Sequence, residues 1–277
     1  MNKILSHALV AAAALAAVQT VPATTLLTDD FTVSANQNDP NFDINSGRQT
    51  GTQATSTYTA FGSQHQVGNS TTDVGQPGGA ANSNFLLLAF SSSVQNNLSF
   101  NDSLVNGKPV TISFDMYLHG DNSTHGGFDP TDWVSFTLRA AGNAGPVAGA
   151  GEFGMLVRYN GGVQLFNGGG QIAGSAALDT AGYSTADAWS FTFSNTAGTG
   201  SPFAGNGSKV TFVNGANTGS FALDQLSNTG LDLGFFAQNS VFGGIDNLSV
   251  TTVPEPTTLA LAAAGLGCLA LGRRQRR

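Results

Sequence analysis

Apolar and polar residues alternate with a period of two through most of the chain. In the cleanest run, 110–118, Val110, Ile112, Phe114, Met116 and Leu118 fall on one side and Thr111, Ser113, Asp115 and Tyr117 on the other. That is a strand with one face on a core. Residues 133–139 repeat the pattern with Val134, Phe136 and Leu138 inside, and 188–194 with Trp189, Phe191 and Phe193. The run Phe85-Leu86-Leu87-Leu88 with Phe90, within 84–91, predicts a strand buried on both faces. Asn160-Gly161 between 152–159 and 162–166, and Asn214-Gly215 between 209–213 and 220–223, are hairpin signals. Strands are also predicted at 24–34, at 48–61 (exposed and Thr-rich), at 231–237 and at 244–252. Residues 36–47, 65–82 and 96–107 read as connections. About a dozen strands with no helical stretch predict an all-β chain, folded as a single β-sandwich over 24–252.

The two ends break the pattern. Residues 1–23 carry one early cation, Lys3, then an apolar run, then Val21-Pro22-Ala23, a small-x-small cleavage site. This is a secretory signal peptide, handled by the general secretion machinery and signal peptidase. At the other end Pro254-Glu255-Pro256 is stiff and extended, because proline lacks an N–H and biases the residue before it away from helix. An uncharged helix over 257–272 follows, then Arg273, Arg274, Arg276 and Arg277. Its sixteen residues span about 24 Å, against a hydrocarbon core of about 30 Å. The run lacks the polar face a surface helix needs, so it reads as a short transmembrane segment with its basic end in the cytoplasm.

The tail 253–277 closely resembles the PEP-CTERM sorting signal: a Pro-Glu-Pro motif, a transmembrane helix and an Arg-rich end, in that order. The resemblance implies a Gram-negative bacterium that makes exopolysaccharide. It also implies recognition by exosortase, a membrane-embedded cysteine transpeptidase, and removal of the helix. Such a chain is held transiently in the inner membrane and then passes to the cell surface or the extracellular matrix. Cys268 lies inside that helix and reads as a small apolar residue. The body resembles the concanavalin A-like (laminin-G-like) jelly roll. The carriers are Asp29-Asp30-Phe31, the hairpin KVTFVNG at 209–215 and the closing strand GIDNLSV at 244–250. In that family the closing strand pairs near the first.

Charge narrows the partners. Arg48, Lys108, Arg139, Arg158 and Lys209 are the cations of the body, against all the acids of the chain but Glu255, which leaves about −11. Such a body makes a poor nucleic-acid partner. It also has no cysteine, so an exported fold rests on its core or on a metal, calcium being the cofactor that fits an acidic exported protein.

The loop 119–132 gathers His119, Asp121, Asn122, His125, Asp129 and Asp132. Oxygen-rich loops suit calcium and imidazoles suit zinc or copper, yet the spacing matches no known metal motif. A solvated connection and a calcium or sugar loop both stand. Among the aromatic rings, Tyr117 takes the side of its strand opposite the apolar face and is the ring expected to meet a sugar; Trp189 reads as core. Glu152 is the only glutamate of the body, and retaining glycoside hydrolysis needs two carboxylates. Glu152 therefore reads as a strand-edge charge. No nucleophile elbow is present. Thr55-Ser56-Thr57-Tyr58-Thr59 is too short a rank of hydroxyls for an ice face, which needs several rungs. The expected function is a non-enzymatic surface or matrix protein whose body binds exopolysaccharide; the alternative is a glycan-active enzyme on the same jelly roll.

Overall fold

The computed structural model describes residues 23–31, 49–61, 65–68, 85–88, 91, 93–98, 107–120, 132–140, 152–158, 162–168, 170–172, 178–179, 187–195, 203, 208–223, 231–238 and 241–253. In chain order the strands are β1 (Thr24–Asp29), β2 (Tyr58–Phe61), β3 (His65–Gly68), β4 (Phe85–Leu88), β5 (Ser93–Asn96), β6 (Val110–Gly120), β7 (Trp133–Ala140) and β8 (Phe153–Arg158). They continue with β9 (Gly162–Asn167), β10 (Gly170–Gln171), β11 (Leu178–Asp179), β12 (Asp187–Asn195), β13 (Ser208–Asn214), β14 (Asn217–Ala222), β15 (Leu231–Ala237) and β16 (Val241–Thr252). Among the described residues there is no helix.

The strands form two eight-stranded antiparallel sheets. Sheet A runs β14-β13-β12-β6-β16-β4-β3, with β1 also on β16; sheet B runs β10-β9-β8-β7-β15-β5-β2, with β11 also on β9. The all-β sandwich is therefore as the alternation implies. The closing strand lies against the first, with Asp29 opposite Leu248 and Thr24 opposite Thr252.

The alternation of β6 and β12 places Phe114 and Phe191 of sheet A over Phe136, Phe153 and Phe235 of sheet B. Ring centroids lie 4.9 Å apart for Phe114–Phe136, 5.1 Å for Phe114–Phe235 and 5.6 Å for Phe153–Phe191. Tilted and edge-on pairs of this kind add about 0.5–1.5 kcal/mol each beyond area burial. Gly243 sets how closely the sheets approach, because a Cβ there would stand 2.8 Å from Val134 Cγ2 in the facing sheet. The β13–β14 hairpin turns at Gly215-Ala216, with Asn214 opposite Asn217. This is one residue later than the Asn-Gly signal implies. Gly215 takes φ +56° as the first central residue, where strand-matching hairpin turns need a positive value.

Three expectations are corrected. The stretch 48–61 is not one strand: Thr50 makes an isolated bridge to Thr28, Thr52 to Thr55 form turns, and only Tyr58–Phe61 pairs. Gly51, at φ +112° and packed on the Leu26 carbonyl, breaks the run. The connection at 65–82 contains β3, which pairs β4. Strand β5 was not anticipated; Ser93, Gln95 and Asn96 are polar yet buried, so they show no alternation.

Candidate functional site

Pro254, Glu255, Pro256, the helix 257–272 and Arg273, Arg274, Arg276 and Arg277 lie outside the described residues, as do residues 1–22 of the signal peptide 1–23 and Asp121, Asn122, His125 and Asp129 of the ligand loop. Tyr117 and His119 are strand residues of β6, opposite Gly244 and Phe242. Strand pairing thus runs on to Gly120, and His119 does not belong to the loop. Asp132 sits at the entrance to β7, where the sequence ends the loop, and is buried. Among the described residues no three His, Cys, Asp or Glu side chains gather to hold a metal.

Sheet B carries the main surprise. The alternation of β7 turns Val134, Phe136 and Leu138 to the core, and the intervening residues should meet water. Instead Trp133, Ser135, Thr137 and Arg139 are all buried. Beside them on this outer side lie Gln95 and Ser93 of β5, also buried. Glu152, read from sequence as a strand-edge charge, is 3% exposed, with Oε2 3.2 Å from Arg139 Nε. Neither Nε nor Nη1 of Arg139 forms a hydrogen bond. The register explains the meeting, since Leu138 pairs with Phe153 and places Arg139 next to Glu152.

Gly234 of β15 leaves room for two polar neighbours. A Cβ there would stand 2.9 Å from Thr137 Oγ1 and 3.3 Å from Gln95 Cγ. Thr137 Oγ1 donates to the Gly234 carbonyl at 3.4 Å. Further along the same face Trp133 packs on Phe236 at 5.5 Å. Arg158 Nη2 donates to Gln164 Oε1 at 2.7 Å, and Gln164 Nε2 to Gln171 Oε1 at 2.9 Å. Sequence reasoning missed this array because buried polar side chains look like solvent-facing ones in an alternating pattern. Only the pairing of β7 with β8 and β15 reveals them.

A second cluster sits where β16 bulges. The register shifts between Asp246 and Ser249. Asn247 adopts φ +51°, donates its backbone N–H to Asp246 Oδ1 at 2.7 Å, and sends Nδ2 to Asp115 Oδ2 at 2.8 Å. Asp246 stands directly across from Asp115. Burial pushes the Asp246 carboxyl up to about 6; the Asn247 hydrogen bond opposes this, and repulsion from Asp115, Asp30 and Asp29 adds to it. Thr28, Asp29, Asp30, Thr50, Asn247, Leu248 and Ser249 line a shallow pocket of about 280 Å³ beside it. The sequence segments Asp29-Asp30-Phe31 and GIDNLSV are thus brought together, as the strand pairing expected from the resemblance requires.

Comparison with known proteins bears on the tail. Residues 252–277 match the PEP-CTERM protein-sorting motif, which indicates an exported protein processed at its C-terminus. No curated protein sequence matches the chain. Among solved structures the chain is similar to peanut lectin (13% identity, 84% of this chain and 98% of that one, TM-score 0.45). It is also similar to the winged bean acidic lectin complexed with methyl-α-D-galactose (10%, 84% and 99%, TM-score 0.46). A third is arcelin-5, a lectin-like defence protein from Phaseolus vulgaris (9%, 72% and 99%, TM-score 0.42).

Proposed function

We propose that this chain is a non-enzymatic surface or matrix protein of a Gram-negative bacterium, sorted by exosortase, whose sandwich binds carbohydrate of the exopolysaccharide. The observation that carries the reading is the match of residues 252–277 to the sorting motif. The fold supports it, because β16 ends at Thr252 and Pro254 follows after a single exposed residue, Val253. The tail can therefore be cut at Pro254-Glu255-Pro256 without removing any residue of a strand.

In this reading the signal peptide 1–23 opens export through the general secretion machinery and is removed by signal peptidase. The helix 257–272 then holds the chain in the inner membrane, with Arg273, Arg274, Arg276 and Arg277 on the cytoplasmic side. Exosortase acts at Pro254-Glu255-Pro256 and frees the body. Glu152 has no hydrolytic role here, and its partner is Arg139.

The test is intact-mass analysis of the protein purified from its host, with and without a functional exosortase gene. The expected result is loss of the C-terminal helix in the first case and retention of Arg277 in the second. Glu255→Ala in the intact host should give the uncut mass. A mature protein that keeps Arg277 while exosortase is active overturns the reading.

A further inference from the structure

The outer face of sheet A is built differently from that of sheet B. Register sets one hydroxyl residue per strand in a continuous row. Ser220 of β14 stands opposite Thr211 of β13, Thr211 opposite Thr192 of β12, and Thr192 opposite Thr111 of β6. Thr111 stands opposite Thr251 of β16, and Thr251 opposite Thr25 of β1. A second row, two residues further along β12, β6 and β16 and three along the bulged β1, places Ser190, Ser113, Ser249 and Thr28 in register. None of these side chains is buried. Strand spacing of about 4.8 Å makes the first row roughly 24 Å long, and the second lies about 7 Å away.

The rows are ordered internally. Thr111 and Thr192 share a hydrogen bond of 2.9 Å, and Thr211 Oγ1 donates to Ser220 Oγ at 3.3 Å. Each hydroxyl carries one donor and two acceptor sites, so capacity remains for a ligand. Charge stays off both rows. Lys209 borders them on one side and Asp115 with Asp246 on the other, although the body as a whole carries about −11.

We infer that this hydroxyl ladder on sheet A is a docking surface for a neutral polysaccharide chain lying across the strands. The inference rests on the matrix function proposed above and gives it a location. The chemistry matches: hydroxyls on both partners donate and accept, and no charged group must shed its water. The strand repeat is close to the length of one sugar unit, so successive sugars meet successive strands. An acidic polymer would meet the repulsion of an acidic body. Sheet twist of about 20–25° per strand makes the face a saddle, which a flexible polymer can follow and a flat crystal lattice cannot. Thr251 belongs to the row and Pro254 opens the sorting motif, so the ladder reaches to within three residues of the tether.

The experiment is affinity electrophoresis of the full-length chain in gels containing a neutral β-glucan, with polygalacturonate gels as the acidic arm. Retardation by the glucan, insensitive to salt and absent with polygalacturonate, is expected. Replacing Thr111, Thr192 and Thr211 together by valine keeps shape and strand preference but removes the hydroxyls. It should weaken retardation about tenfold or more, since contacts along a row act together. The matching serine variant should bind as the parent does, which separates loss of hydroxyls from loss of fold, and Gln164→Ala on sheet B should change nothing. The inference is overturned by a parent chain that is not retarded, by a valine variant that binds like the parent, by dimers that vanish with the valine changes, or by freezing-point depression. Failure of sorting would be read separately, as an uncut C-terminus.

Discussion

The two outer faces of the sandwich start from the same alternating sequence and end in opposite states. On sheet B, Ser135, Thr137 and Arg139 are buried with Gln95 and Glu152, and they are held by an ion pair and a closely packed glycine. On sheet A, Thr111, Thr192 and Thr211 stay in contact with solvent and bond only to one another or to Ser220. One face spends polar groups on holding the fold together, and the other leaves them available. A polar residue in an alternating strand therefore does not report exposure by itself; what packs over the strand decides.

Four substitutions test that contrast, from the largest effect to the smallest. Glu152→Gln removes the carboxylate 3.2 Å from the buried Arg139 guanidinium and should cost about 3–5 kcal/mol in urea unfolding. Pairing it with Arg139→Met should recover most of the loss, and a double variant as unstable as the single one would refute the ion-pair account. Gly234→Ala forces a Cβ to within 2.9 Å of Thr137 Oγ1, and overpacking of this kind costs about 1–3 kcal/mol. The same change at Gly170, where the nearest atom is 3.8 Å away, should cost far less.

Asp246→Asn acts in the opposite direction. The folded-state carboxyl titrates near 6, above its ordinary value of 3.8. Below both values the group is protonated folded or unfolded and costs nothing. As pH rises from about 4 to 6 the unfolded chain gives up its proton first, so stability falls, and above 6 the penalty is constant. The asparagine still accepts the Asn247 N–H, so it should raise the unfolding free energy at pH 7–8 by on the order of 1 kcal/mol, with a higher melting temperature. It should also flatten the decline between pH 4 and 6, and an unchanged pH profile would count against the raised value. Thr192→Val on sheet A should shift stability by less than about 0.5 kcal/mol in thermal melts. A large loss there would mean that the ladder is structural.

The fold was legible where one side of a strand is apolar and the other faces solvent. β6 and β12 could be placed almost residue by residue, because Ile112, Phe114, Phe191 and Phe193 alternate with Thr and Ser. β5 could not, because Ser93, Gln95 and Asn96 are buried polar residues in a strand whose partners, β15 and β2, no local pattern reveals. The chemistry divided in the same way. The sorting motif is contiguous and readable from sequence. The Arg139–Glu152 pair joins residues of adjacent strands, and the hydroxyl rows join residues more than two hundred positions apart, such as Thr25 and Thr251. The sequence criterion of several rungs excluded Thr55–Thr59, where Thr52 to Thr55 form turns; the rungs themselves appear only when distant strands are laid side by side.

The position of β16 has a mechanical consequence. It is an interior strand, bonded to β6 along one edge and to β4 and β1 along the other. In the proposed membrane-held state, a pull on residue 253 directed along the strand axis loads β16 in shear. It must slide β16 past neighbours on both flanks before anything gives, whereas an edge strand could be peeled away one rung at a time. In single-molecule stretching, force applied through the C-terminus should need a higher rupture load than the same force applied through β14.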